Sequence, residues 1–499
     1  MSGEEDAAKV GSEERAPGRS GVRPSATDGM TELNLIPASE LVDGFRSGTF
    51  DPVDALEASL QAVRDHDEQV NATVLIDEGA GRKAAEASAA RWSAGTPLSP
   101  ADGVPVTIKD IILTRGWPTL RGSKLVQEDV AWDEDSPATA RLRESGAVIF
   151  GKNTTPEFGW KGVTDSIRHG VTRNPWDPSK AAGGSSGGAA AATALGMGSW
   201  SVGTDGGGSV RIPGSFSGIV ALKPTYGQVP VWPASAYGTL SHIGPMTRTV
   251  RDCALLLDVL AQPDSRDWST LPAPATSYVA GLDGGVGGLR IAFSPDLGYG
   301  HNDPEVERAV RTAVDSLTDA GAVVEEVSLD LEDPAAAFHV LWFSGAAKVL
   351  KAYGPDALDQ VDPGLAQAVR EFGLEATAAD FLDATAVRMA LGERMGELHQ
   401  TYDVLVTPTM PIPAFTAGQP APDGWPSQLW TSWTPYTYPF NMTQQPALTL
   451  PCGFTDDGLP IGLQIVGPRH ADALVLRAGQ AYERATDWHT RRPPMLNHD

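Results

Sequence analysis

Apolar residues recur at helical spacing over 51–67, where Val53, Leu56, Leu60 and Val63 share one face behind Asp51 and Pro52. A carboxylate caps free N–H groups and a following proline presets φ, so this pair marks a helix start. The pattern predicts a helix over 51–67, and an Ala-rich stretch predicts a second over 79–94. From 104 to 112 the chain changes to a short β-type run, broken by Pro105, in which Lys109 stands beside Ile108 and Asp110. A helix over 136–145 and a strand over 147–151 follow, then a helix over 253–261. Beyond these come a strand over 289–293, a helix over 304–320 and a strand over 323–329. Several helices fall between 334 and 402. A strand over 403–407, a strand pair 447–451 with 461–466, and a helix over 471–488 close the chain. Strands alternating with helices predict an α/β fold, a mixed twisted β-sheet core covered by helices on both faces. The Pro- and Asp-rich stretch 262–275 reads as a linker, and the section to about 400 as a helical insertion.

Composition narrows the classes. At 41% hydrophobic residues the chain can bury a sizeable core. Its 54 Gly and 39 Pro carry no three-residue period, which excludes collagen and favours a loop-rich enzyme. A formal charge of -25 repels polyanions, so neither nucleic acid nor an anionic membrane is expected as a partner. The two cysteines, Cys253 and Cys452, cannot build a disulfide framework and suit a reducing, cytoplasmic setting. Residues 1–30 are polar, with Glu4, Glu5 and Asp6 and no apolar run. They read as a disordered tail without a secretory signal, leaving 31–499 as the folded part. No window is long and apolar enough for a membrane span. No His/Cys/Asp cluster has metal-ligand spacing, so neither metal nor cofactor is expected, and His169 and His242 read as structural.

Two small-residue clusters carry candidate chemistry: Gly183-Gly184-Ser185-Ser186-Gly187-Gly188, and Gly203-Thr204-Asp205-Gly206-Gly207-Gly208-Ser209-Val210-Arg211. A phosphate loop would need a lysine after its glycines, and neither cluster has one. A dinucleotide fingerprint fails at its third glycine, where Arg211 stands. Gly183-x-Ser185-x-Gly187 fits a nucleophile elbow. An elbow follows directly on a strand, however, and residues 176–180 are turn-like, while His470 or His489 qualify as its base by chain order alone.

A third reading couples Ser185, Ser209 and Lys109. The segment from Gly183 to Gly227, including Ile212-Pro213 and Leu222-Lys223-Pro224-Thr225, resembles the amidase signature family. Upstream, Gly103-Val104-Pro105-Val106-Thr107-Ile108-Lys109-Asp110 is similar to that family's lysine motif. Downstream, Phe440-Asn441-Met442-Thr443 and the run from Gly458 to Gln464 are similar to its C-terminal blocks. The resemblance implies a Ser–cis-Ser–Lys triad: Ser209 as nucleophile, Ser185 as the bridging serine after a cis peptide bond, and Lys109 as base. It implies an oxyanion hole from the backbone amides of Gly206, Gly207, Gly208 and Ser209. Ser186, Asp205 and Arg211 would support the loop. Gly206 departs from the family pattern, which more often has Thr or Ile there. The chemistry also stands on general grounds. A serine hydroxyl is a weak nucleophile until a base takes its proton. An ordinary lysine, near pKa 10.4, is protonated at pH 7, and burial among neighbours such as Ile108 and Ile111 lowers that value.

The expected reaction is cleavage of a small-molecule amide, with esters, anilides and carbamates open to the same machinery. The alternatives are a glutaminase-like subunit of a tRNA-dependent amidotransferase, which usually carries Gln where Ile212 follows Arg211, and a catalytically silent scaffold. A homodimer is the assembly considered. Selectivity is expected in the section 262–440. There Trp425, Trp430, Trp433, Tyr436, Tyr438 and Phe440 crowd into sixteen residues. These rings either pin a loop to the core or wall a pocket for apolar aryl or medium-chain acyl groups.

Overall fold

The computed structural model describes residues 33–497. The tail expected over 1–30 lies outside the described residues. The chain lays down strands β1 Thr73–Ile76, β2 Pro105–Lys109, β3 Val148–Asn153, β4 Asp165–Ser166, β5 Gly170–Val171, β6 Trp200–Asp205 and β7 Val220–Lys223. It continues with β8 His242–Thr247, β9 Arg290–Phe293, β10 Val323–Glu326, β11 Val404–Pro408, β12 Ala447–Phe454 and β13 Pro460–Val466. β4 and β5 form a small ribbon, and the rest join one 11-stranded sheet in the order β1-β3-β2-β6-β8-β7-β12-β13-β11-β9-β10. The sheet is mixed: β3, β2 and β6 run parallel, as do β11, β9 and β10, and the pairs between them are antiparallel.

Side chains alternate across a strand, so each strand feeds two cores. Leu448, Leu450 and Cys452 of β12, with Ile461, Leu463 and Ile465 of β13, enter the larger apolar cluster. Helices Val250–Leu260, Pro304–Asp319 and Asp472–Ala485 bring Leu257, Val310 and Val475 into that same cluster. On β2, Val106 and Ile108 belong to it too, which turns Thr107 and Lys109 to the opposite face. That second face is covered by helices Gly187–Ala194 and Arg211–Ser217, and the helix Ala335–Lys351 shares an apolar cluster with the latter through Phe338, Trp342, Ile212 and Phe216. Every residue of β2, β3, β7, β8, β11 and β13 is buried, as expected of central strands covered on both sides.

The capped helix starts where Asp51 and Pro52 place it and runs Pro52–Val70, with Asp51 accepting from the amides of Val53 and Asp54. β2 is shorter than the run 104–112, because the chain turns after Lys109 with Ile111 N–H bonded back to the Lys109 carbonyl at 2.8 Å. The section 262–400 is not an insertion outside the sheet. Its first half supplies β9, which pairs with β11, and β10, which pairs with β9, and only the helices from Ala335 to Leu398 are interposed. No helix among the described residues is long and apolar enough to cross a membrane.

Candidate active site

Lys109 ends β2 with its side chain wholly buried, at 0% exposure. Its Nζ lies 2.6 Å from Ser185 Oγ, 2.9 Å from Ser186 Oγ and 2.8 Å from Thr204 Oγ1. All three partners are hydroxyls, and the negative charge that acts on the amine is Asp205, which bonds elsewhere. Burial drives the Lys109 pKa well below the ordinary lysine value, against the pull of Asp205. Donor counting orients the protons. Ser186 Oγ donates to the Thr204 carbonyl at 3.1 Å, so it accepts from Lys109. A neutral amine has two N–H groups and one lone pair. With Ser186 and Thr204 accepting the two hydrogens, the lone pair is left for the Ser185 hydroxyl. The Gly184–Ser185 peptide is cis. A Cβ on Gly184 would come within 2.5 Å of the Val163 carbonyl carbon, so only glycine fits there.

Ser209 sits on the loop between β6 and the helix Arg211–Ser217, and Asp205 and Arg211 hold that loop. Asp205 accepts from the Gly208 amide at 2.8 Å and the Val210 amide at 3.2 Å. Arg211 gives Nε and Nη2 to the two Asp205 oxygens, each at 3.0 Å. Its remaining hydrogens go to Asn441 Oδ1 at 2.6 Å, Gln464 Oε1 at 2.8 Å and the Thr437 carbonyl at 2.9 Å. All five guanidinium N–H groups are thereby used. Burial alone would raise the Asp205 pKa, but the charge and hydrogen bonds of Arg211 hold it well below the usual carboxylate range.

Ser185, Thr204, Gly206 and Ser209 line one cavity of about 160 Å³. Its other walls are largely apolar, among them Ile111, Ile112, Phe158, Tyr237 and Trp342. His242 also lines it, with Nδ1 2.8 Å from the Leu240 carbonyl and Nε2 3.3 Å from Lys223 Nζ.

A model of the amidase family matches residues 54–476. The chain belongs to the amidase family. It is 38% identical to an acylamidase from Rhodococcus erythropolis over 93% of this chain and 98% of that one. It is 37% identical to a glutamyl-tRNA(Gln) amidotransferase subunit from Chloroflexus aggregans over 93% of this chain and 99% of that one. The solved structure of a bacterial aryl acylamidase of the amidase signature family superposes with a TM-score of 0.85 at 27% identity, covering 91% of this chain and 98% of the other. These likenesses support a hydrolase acting on amides.

In this amidase-family chain the structure brings Lys109, Ser185, Ser186, Asp205, Ser209 and Arg211 into one connected site. The amides of Gly206, Gly207 and Ser209 have no hydrogen-bond partner among the described residues, whereas Gly208 spends its N–H on Asp205. Gly208 is therefore removed from the expected oxyanion donors. The elbow at Ser185 lacks its strand, and neither His470 nor His489 lines the cavity. None of the six rings between Trp425 and Phe440 lines it either. Trp430, Trp433, Tyr436, Tyr438 and Phe440 are buried in the core, and the cavity's rings are Phe158, Trp232, Tyr237 and Trp342. Sequence reasoning missed Thr204, Tyr237 and Trp342, and it read His242 as structural without placing it at the cavity. Thr204 stood inside the motif beside Asp205. Nothing in the sequence marked Tyr237 or Trp342.

Proposed function

We propose that this chain is a stand-alone amidohydrolase that cleaves carboxylic amides through a relay of Ser209, Ser185 and Lys109. The observation that carries this reading is a wholly buried lysine with only hydroxyl partners, 2.6 Å from Ser185 Oγ, beside the cavity that Ser209 lines. A buried, carboxylate-free lysine favours the neutral amine a general base must be.

Neutral Lys109 accepts the Ser185 proton as Ser185 takes the proton of Ser209, and Ser209 Oγ attacks the amide carbonyl carbon. The carbonyl oxygen gains the negative charge, which the free amides of Gly206, Gly207 and Ser209 stabilise. Collapse breaks the C–N bond, and the amine leaves with the proton returned from Lys109 through Ser185. Water then gives its proton to the same relay and attacks the acyl-Ser209 ester. The carboxylic acid departs and the serine hydroxyl is restored. Linear amides are the expected substrates, with esters and anilides open to the same steps. The two buried thiols support a cytoplasmic setting.

The amidotransferase-subunit reading draws on the Chloroflexus aggregans relative. Two features favour the stand-alone enzyme: the apolar cavity walls, and Ile212 after Arg211 packed in an apolar cluster. Labelling with a fluorophosphonate probe, lost in Ser209→Ala, together with hydrolysis of amides by the purified chain, tests the proposal. An unlabelled chain that hydrolyses no amide would leave it a silent scaffold.

A further inference from the structure

Gly206 stands three residues before Ser209, and its backbone does not demand glycine, since its φ lies outside the left-handed region. What excludes a side chain is Trp342. A Cβ on Gly206 would lie 2.6 Å from Trp342 Cζ3 and 3.0 Å from its Cη2. The indole is not a loose chain end that swings aside. Its N–H donates to the Trp160 carbonyl at 3.2 Å, and its ring stacks on Tyr237 with centroids 3.8 Å apart and planes 12° apart. Phe338 at 5.5 Å and Trp430 at 5.8 Å close around it. Tyr237 is fixed in turn by its hydroxyl, 3.3 Å from the Phe158 carbonyl.

We propose that the Gly206–Trp342 contact is a specificity device: the missing side chain admits one indole to the cavity wall, and the resulting space takes an amide bearing a single aromatic ring. This deepens the amidohydrolase reading and rests on it. The cavity measures about 160 Å³. An apolar cavity of about 150 Å³ is the size that accepts benzene. Trp342 and Tyr237 line the cavity together with Ser209 and Gly206, and aromatic pairing adds specificity to the burial of apolar area. Trp342 comes from the helix Ala335–Lys351, which reaches the reacting serine's loop with two side chains, Trp342 at Gly206 and Phe338 at Gly207.

The test is kcat/KM of the purified full chain for two paired series. One pair carries the ring on the acyl side, benzamide against 2-naphthamide. The other carries it on the amine side, acetanilide against N-(2-naphthyl)acetamide. In the pair that places its ring in the cavity, the one-ring amide is expected to lead by about tenfold or more, the scale on which a pocket resolves small differences in apolar size. Trp342→Ala should erase or reverse that lead. Trp342→Phe, which keeps a ring and the fold, should reduce it. Gly206→Ala should lower turnover of the one-ring amide by about tenfold or more, and adding Trp342→Ala to it should restore turnover of the two-ring amide above that of Gly206→Ala alone. A folded Trp342→Phe and Trp342→Ala whose one-ring to two-ring ratio stays within twofold of the parent would overturn the proposal. So would a parent that prefers neither ring size. A parent inert towards all four amides and unlabelled by fluorophosphonate would sink the amidohydrolase reading, and this inference with it.

Discussion

Three hydroxyls around one amine decide how a proton can travel through the site. Protonated Lys109 has three N–H groups and no lone pair, so it cannot take the Ser185 proton. Under the proposed relay, activity is expected to fall about tenfold per pH unit below the Lys109 pKa and to rise as pH passes through it. Burial puts that limb below the ordinary value of about 10.4. A pH profile of kcat/KM checks this, and a rise that falls below the ordinary histidine range, where burial and the Lys223 charge put His242, and that is removed by replacing His242 would move the base to that histidine. Ser209→Ala should abolish turnover, and Ser185→Ala and Lys109→Ala should each cost on the order of 10⁴-fold in kcat, because relay members act as a unit. Arg211 is a different kind of residue. Its ion pair with Asp205 is buried on both sides. Arg211→Leu leaves that carboxylate without its counter-charge, and about 3–5 kcal/mol of stability should go with it, read as a fall in Tm.

At the scale of elements, the sequence was informative wherever one face is wet. The helix Pro52–Val70 could be read from its apolar stripe and its cap, and Pro304–Asp319 from Val306, Val310, Val314 and Leu317. The cap makes its own prediction: Asp51→Ala should cost about 1 kcal/mol, seen as a lower Tm with kcat/KM unchanged. The helix Gly187–Ala194 left no such trace. All its residues are buried, so it has no polar face and no period to detect. β8 hid for a related reason. Its Gly244 and Pro245 read against a strand, yet a Cβ at Gly244 would lie 2.0 Å from the Leu222 carbonyl oxygen. Glycine there lets two strands approach, which is a requirement set by a residue distant in the chain. The same limit applies to the rings. Trp430 and Trp433 stood out by crowding, while Tyr237 and Trp342 were scattered and met only through folding.

Across the whole molecule the site is assembled from β2, the Ser185 turn, the β6 loop, Asn441 and Gln464, joined through a sheet that sets β2 beside β6. The motifs identified these residues in the sequence, but the donor count that separates Gly208 from the free amides required their positions in space. The cavity they enclose also bears on which relative this chain resembles in action. Among the described residues no carboxylate lines it, and Arg121 is the one residue of permanent charge that does. The α-ammonium of glutamine would enter without an anionic partner, and an unpaired charge moved out of water is costly. A hydrophobic acyl group meets Ile111, Ile112 and Ile243 instead. The purified single chain, with no further protein added, should therefore hydrolyse the nitroanilide of a hydrophobic acid with kcat/KM at least about 100-fold above that for glutamine. That ratio is what one or two well-placed apolar contacts and one unpaired charge supply together. Nitroaniline release and ammonia release, measured on the same preparation, give the two numbers. Comparable values, or glutamine turnover that appears only when further subunits are added, would place the chain with the amidotransferase subunits.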